Sequence, residues 1–118
     1  MTTPNAVFDE VAVFASRARE ATAAGAQAFD RLLAAAEHSD SGQTERIARF
    51  VAACYNGQAF PLDVYDLRCV DIALSDDMLT CLDALRWAKV DLHTLVPEGD
   101  ARVRRVISNA GLQWPNAD

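Results

Sequence analysis

The first third of the chain, from Asn5 to about Glu37, constrains the fold more than any other segment. Its apolar residues recur at alternating spacings of three and four, which is the period of one helix face. These residues are Val7, Val11, Phe14, Ala18, Ala21, Gly25, Phe29, Leu32 and Ala36. The middle of the segment is rich in Ala, the residue with the highest helix propensity. We therefore predict an amphipathic helix that needs packing partners to be stable.

Gly25 is the weak point of this helix. A glycine inside a helix costs about 1 kcal/mol relative to alanine. The segment is therefore predicted to form either one long helix or two helices hinged at Gly25, and we favour a break or bend there. The small side chains around Gly25 would let a partner helix approach closely, although they bury little apolar area per residue.

The rest of the chain repeats helical patterns between polar breaks. A second helix is predicted after the break His38–Gly42 and should end at Asn56-Gly57, where one residue takes the left-handed conformation. Its inward face would be apolar, with Arg46 and Arg49 on the outward face. The run from Leu67 to Leu74 has the composition of a strand but no partner strand.

Four further helical segments are predicted in the second half. Asp63 can cap one turn, a longer helix passes through Ser75, and a short turn follows Asp91. The last helix is predicted over Pro97–Ala110, with Gly111 as its stop. We predict an all-α fold, a compact bundle of five or six helices in a single domain 1–118, with residues 113–118 as a loose tail.

The charge of the chain argues against several classes of partner. Seventeen acidic and eleven basic side chains give a formal net charge of −6. Nucleic-acid binders need positive charge to displace counterions, and acidic proteins are repelled by anionic membranes. No apolar run approaches the roughly 20 residues that span a bilayer, and the acidic N-terminal segment does not resemble a signal peptide. We expect a cytoplasmic protein that binds neither membranes nor nucleic acid directly.

Residues with catalytic chemistry are few and lack recognisable spacing. Cys54, Cys69 and Cys81 are odd in number and lie among apolar neighbours, so we predict buried thiols rather than disulfides or a zinc site. His38 and His93 have no nucleophile motif beside them. No glycine-rich phosphate loop is present. We therefore expect no enzymatic activity, no cofactor and no bound metal.

A dense group of acids is the best lead to a binding site. It comprises Asp63, Asp66, Asp71, Asp76 and Asp77, with Tyr65 among them. Carboxylates at this density can hold divalent cations, but the spacing of a calcium loop is missing. Asp63 and Asp66 could instead cap a helical turn. These six residues are the predicted partner-binding set.

Two other groups of residues have less informative patterns. Arg102, Arg104 and Arg105 are predicted to form a solvated helix face, since three arginines in an acidic chain give a small local field. The aromatic side chains of Tyr65, Trp87 and Trp114 are candidate interface anchors. For Trp87 we favour burial in the core, whereas Trp114 could pack back from the tail.

Two segments together resemble a family of small helical proteins of unknown function. They are SGQTERIARFVAACYN and FPLDVYDLRCVDIALSDDMLTCLDALRWA, and the pattern V-D-x-A-[IL]-x-D-D-M-[LV]-T runs here from Val70 to Thr80. The resemblance covers about residues 28–95. It departs at Cys54-Tyr55, where relatives often have two aromatic residues. It implies a bacterial protein encoded on a proteobacterial mobile element, and it implies no activity.

Three functions fit these observations. The first is a non-enzymatic protein–protein interaction module that inhibits or modulates a host defence, conjugation or transcription complex. In the second, a structural protein forms a homodimer or larger oligomer through the stripe from Val7 to Ala36. The third is a metal-dependent hydrolase that uses the acidic segment Asp63–Asp77. We favour the first.

Overall fold

Four α-helices and two 3₁₀ helices make up the part of the chain that the structure describes. The computed structural model describes residues 4–39 and 41–115, with side chains from residue 9 onward. The α-helices are α1 (Pro4–His38), α2 (Thr44–Tyr55), α3 (Ile72–Trp87) and α4 (Gly99–Asn109); the 3₁₀ helices are η1 (Val64–Arg68) and η2 (Leu92–Leu95). The described residues contain no strand. The all-α prediction is confirmed, whereas the predicted number of five or six helices is not, since four segments of residues 4–39 and 41–115 are α-helical.

Helix α1 runs through Gly25 without interruption, so the predicted alternative of one long helix is confirmed and the favoured break at this residue is wrong. Gly25 is buried, and a Cβ atom placed on it would lie 2.2 Å from the Cβ atom of Ala84 on α3. The absence of a side chain therefore lets α1 and α3 approach closely. This packing outweighs the propensity cost of one glycine, which is about 1 kcal/mol.

The core lies between the C-terminal half of α1 and the other three α-helices. Its largest fully buried apolar side chains are Phe29, Leu32, Leu33, Ile47, Phe50, Val51, Met78, Leu92, Val103 and Ile107. Burial of each such side chain contributes about 1.5–3 kcal/mol. Core residues begin at Ala28 on α1. The predicted inward position of Val7 lies outside the described side chains.

Two predicted helix ends have different outcomes. Helix α2 ends directly before Asn56, as predicted, but Asn56 is extended (φ −152°) and Gly57 has no positive φ, so the predicted left-handed conformation is wrong. The side-chain oxygen of Asn56 instead accepts hydrogen bonds from the N–H groups of Gln58 and Ala59. Gly111 follows α4 with φ +73°, which confirms the predicted stop.

The polar break and the tail are described only in part. Asp40, within the predicted break before α2, and residues 116–118 of the predicted loose tail lie outside the described residues. Trp114 does pack back, because its ring lies 4.8 Å from that of Phe60 in an edge-to-face arrangement. About 41% of Trp114 remains exposed.

Three side chains have surroundings that differ from the prediction. Cys69 is exposed because it follows η1 in a surface turn, whereas Cys81 is buried. Arg102 is not on a solvated face, since its guanidinium donates hydrogen bonds to Asp30 and Glu37 on α1. Trp87 is half-buried at the end of α3 rather than in the core.

Candidate interaction surfaces

The predicted partner-binding acids lie within or directly before η1 and α3, but they have different environments. Asp66 is completely buried and accepts hydrogen bonds from Arg46 and Arg49 of α2, each with a shortest contact of 2.8 Å. The Arg49 hydrogen bond is the main cause that holds the pKa of Asp66 below its usual value. Asp66 therefore attaches η1 to α2 and offers no surface to a partner.

Asp77 also has an internal role. Its carboxylate accepts hydrogen bonds from Nε and Nη2 of Arg31, at 3.1 and 2.8 Å. Only 16% of the Asp77 side chain is exposed. This bidentate pair links α3 to α1, and we therefore leave Asp77, like Asp66, out of the candidate surface.

The remaining three acids keep exposed carboxylates. Asp63 accepts a hydrogen bond from the N–H group of Tyr65 at 2.9 Å, so its predicted capping role is confirmed. Asp71 exchanges two hydrogen bonds with the side chain of Gln43, in which its N–H group donates at 2.5 Å and its carboxylate accepts at 3.2 Å. No ion pair within the described residues includes Asp63, Asp71 or Asp76.

Large apolar side chains lie beside these three acids. Ile72, Asp76 and Leu79 have the spacing i, i+4, i+7, so they share the outer face of α3. Ile72 is 78% exposed and Leu79 is 53% exposed, while Val64 and Tyr65 on η1 are each 62% exposed. We name this set the η1–α3 surface: Asp63, Val64, Tyr65, Asp71, Ile72, Asp76 and Leu79. Isolated exposed apolar residues are ordinary, but a group within one region is typical of an interface.

A second apolar surface lies on the N-terminal half of α1. Val11, Val13 and Phe14 are 62, 59 and 64% exposed. The ring of Phe14 contacts that of Trp87 edge to face, with centroids 4.8 Å apart, and the Arg17 guanidinium lies 4.9 Å from the Trp87 ring. A shallow groove beside the helix is lined by Val13, Phe14, Arg17 and Trp87 and by Asp9 and Glu10. We name Val11, Val13, Phe14, Arg17 and Trp87 the α1 surface.

A polar aromatic cluster at the start of α4 has no counterpart in the sequence predictions. The Tyr55 hydroxyl donates a hydrogen bond to Asp100, and the Tyr55 ring packs on His93 with centroids 4.8 Å apart. The hydrogen bond raises the pKa of Tyr55 and lowers that of Asp100. Both shifts move the pKa values of these groups further from neutral pH. The cluster is therefore suited to joining α2 to α4 rather than to acid–base catalysis.

The described part of the chain has neither a cluster of metal ligands nor a helix that could cross a membrane. It contains no group of three or more His, Cys, Asp or Glu side chains arranged to hold a metal ion. None of its helices has the length and apolar composition that crossing a membrane requires. Burial raises the pKa of the Cys54 thiol to about 12 and also raises that of Cys81, which keeps both thiols protonated and unreactive.

Comparison with known proteins identifies a family but no activity. No curated protein and no solved structure matches the chain significantly. Residues 26–111 match the model of a family of unknown function, DUF7673. The match begins directly after Gly25 and includes α4, beyond the predicted limit at about residue 95. The chain therefore belongs to the DUF7673 family.

Proposed function

We propose that this protein is a non-enzymatic protein–protein interaction module whose partner binds the η1–α3 surface. The main support for this proposal is that Ile72 is 78% exposed on the helix face that it shares with Asp76 and Leu79. An isoleucine in this position contributes little to the fold, whereas burial against a partner would release its apolar surface from water. The surface lies within the segment that matches the family.

The chemistry of the surface favours a basic, amphipathic partner. Asp63 and Asp71 directly precede exposed apolar residues in the chain, and Asp76 shares the outer face of α3 with two such residues. Arg68 adds one positive charge beside Tyr65, 5.1 Å from its ring. The excess of negative charge would attract a cationic surface and orient it during association. The apolar residues between the acids would supply the buried centre of the interface.

A basic partner surface of this kind is typical of proteins that bind DNA or RNA. We therefore propose that the protein competes with nucleic acid for its partner, without binding nucleic acid itself. Encoded on a bacterial mobile element and acting in the cytoplasm, it would inhibit or modulate a host defence, conjugation or transcription complex. This context rests on the resemblance described above and on the net charge of −6.

The test compares Ile72→Asp with Val90→Asp, because Val90 is also exposed (50%) but lies outside the η1–α3 surface. Each immobilised protein is used to capture proteins from bacterial lysate, and each captured protein is then purified and its affinity for the three chains is measured. We expect one partner to bind the wild type and Val90→Asp equally and Ile72→Asp at least tenfold more weakly. Binding of the wild type should also weaken with salt.

Equal binding of Ile72→Asp and the wild type by every captured protein would remove the η1–α3 surface as the interface. Failure to capture any specific partner at low and at high salt would contradict the proposed function itself. The circular dichroism spectra of both variants should match that of the wild type, since residues 72 and 90 are exposed.

The structure gives different support to the other two functions. Self-association is favoured by the exposed α1 surface, although the stripe from Gly25 to Ala36 is used within the chain and is not free for a second copy. A metal-dependent hydrolase has no such support, because the carboxylates of Asp66 and Asp77 form ion pairs with arginines instead of being free to bind a metal ion. We do not propose hydrolase activity.

A further inference from the structure

We propose that two copies of the chain associate through the N-terminal halves of α1 in an antiparallel pair, with Glu10 of each copy beside Arg17 of the other. The pairing uses the α1 surface and not the η1–α3 surface. It is therefore independent of the binding function proposed above, and a dimer could present two η1–α3 surfaces to partners.

The N-terminal half of α1 has an apolar face that no described segment of the chain covers. Val11 and Phe14 continue the helical stripe that carries Phe29 and Leu32 into the core, since these positions repeat at spacings of three and four. Phe29 and Leu32 are completely buried, whereas Phe14 is 64% exposed. A helix of 35 residues is about 52 Å long at 1.5 Å per residue, close to the longest dimension of the molecule, 57 Å. The N-terminal half of α1 therefore projects along the long axis, beyond most of its packing partners.

Side chains of opposite charge lie along one edge of this face. Val11, Phe14 and Ala18 have the spacing of the a, d and a positions of a heptad repeat. Glu10 and Arg17 each precede an a position by one residue, so both are g positions on the same edge of the helix. They carry opposite charges seven residues apart, which is two turns. Residues at g positions form ion pairs between helices in coiled coils.

These charges favour one relative orientation of the two α1 helices. An antiparallel pair with its twofold axis near Val13 and Phe14 places Glu10 of one copy opposite Arg17 of the other, and the symmetry repeats the contact. The same register brings Phe14 of each copy beside Val11 of the second copy. A parallel pair would leave Glu10 and Arg17 two turns apart. The charge pattern is therefore complementary to itself in the antiparallel orientation alone.

Both charged groups are free to make this contact. Neither Glu10 nor Arg17 forms an ion pair with another residue that the structure describes. Both side chains are exposed, and Arg17 is held along the helix edge by its contact with Trp87. The groove beside Trp87, which Glu10 and Phe14 also line, would receive the helix of the second copy.

Sedimentation equilibrium of the full chain tests this arrangement through charge reversal. We expect the wild type to dimerise, and Phe14→Glu to be monomeric because it would bury a carboxylate in the interface. Glu10→Arg and Arg17→Glu should each weaken the dimer about tenfold by opposing like charges. The double variant Glu10→Arg/Arg17→Glu should restore most of the wild-type affinity, since residues 10 and 17 of opposing copies then again carry opposite charges.

Glu20→Arg and Arg19→Glu are matched controls, because they reverse the same charges on exposed residues of α1 that lie away from the g edge and outside the groove. Both should dimerise like the wild type, and Ile72→Asp should do so as well, which separates this interface from the η1–α3 surface. A wild type that stays monomeric at the highest attainable concentration would overturn the proposal. So would a double variant no tighter than its parent single variants, which would indicate another register or a different occupant of the α1 surface.

Discussion

The two halves of α1 carry the same helical pattern but have different surroundings. From Gly25 to His38 the apolar stripe is covered by α2, α3, α4 and η2, and Phe29 and Leu32 have no exposed surface. From Pro4 to Ala24 the stripe continues with Val11 and Phe14, which remain mostly exposed. The family match begins at residue 26, so the covered half after Gly25 belongs to the shared domain and the whole exposed half lies outside it.

This difference shows that periodicity encodes the helix and its apolar face but does not encode burial. Whether a stripe is buried depends on which distant segments fold onto it. Here α3 runs along α1 until Trp87, and beyond that residue nothing described in the chain covers the stripe. An exposed continuation of a core stripe is therefore a better indicator of an interface than its composition alone.

The largest expected contrast comes from matched substitutions in the two halves. Phe29→Ala should lower the free energy of unfolding by about 3–5 kcal/mol, because it leaves a cavity among fully buried side chains. Phe14→Ala should lower it by no more than about 0.5 kcal/mol. Urea denaturation of both variants at a concentration where the wild type is monomeric measures the difference. Similar losses for the two variants would show that the N-terminal half packs in the monomer.

A second contrast concerns ion pairs inside and outside the packed body. Asp66→Asn leaves the guanidinium groups of Arg46 and Arg49 without their carboxylate and should cost about 2 kcal/mol, less than for a wholly buried pair because both arginines are partly exposed. Asp83→Asn breaks an exposed pair with Arg86 at 2.7 Å and should cost at most about 0.5 kcal/mol. Thermal melts at neutral pH compare the two.

The pH dependence of stability gives an independent check on Asp66. Its pKa is lower in the folded protein, so its contribution is present above the unfolded pKa of about 3.9 and is lost as the pH falls through the folded value. The difference in unfolding free energy between the wild type and Asp66→Asn should thus be constant above about pH 5 and shrink in more acidic solution. A difference that stays unchanged in acid would show that Asp66 is not ionised in the fold.

Gly25 lies at the boundary between the two halves. Its replacement by alanine should destabilise the protein, although alanine has the higher helix propensity. Gly25→Ala adds a methyl group where Ala84 Cβ lies 2.2 Å away, so α1 and α3 must separate. We expect a loss of about 1–2 kcal/mol, the cost of overpacking less the propensity gain. The second-site change Ala84→Gly should recover part of this loss by vacating the same space. Stabilisation by Gly25→Ala alone would contradict the close contact.

Local signals predicted much of the fold. The apolar spacing placed α1 and α2, and the capping role of Asp63 and the stop at Gly111 depend on residues within a few positions of each other. The break at Gly25 was the main error, because its propensity cost is visible locally while the compensating contact with Ala84 joins residues far apart in the chain. Tertiary packing decides such a conflict.

The candidate surfaces were less predictable for the same reason. Asp63, Tyr65, Asp71 and Asp76 keep the exposure that a partner-binding role requires, while Asp66 is buried by arginines 17 and 20 residues before it. The pairing of Arg102 with Glu37 spans 65 residues. No sequence pattern links such residues, so the arginines looked like solvated faces. The exposure of Val11 and Phe14 is likewise a property of the tertiary structure.

Hydrogen exchange should reveal the smallest of these effects as a gradient along α1. Amides of residues 28–36 lie in the packed half and should exchange only with opening of the core, whereas those of residues 9–20 should exchange faster because fraying of an unpacked helix costs little. Raising the protein concentration should slow exchange in residues 9–20 if the α1 surfaces pair, and leave residues 28–36 unchanged. The variant Phe14→Glu should abolish that concentration dependence. Uniform protection along α1 in the monomer would mean that the two halves are equally stable, and that the exposed stripe needs no second copy.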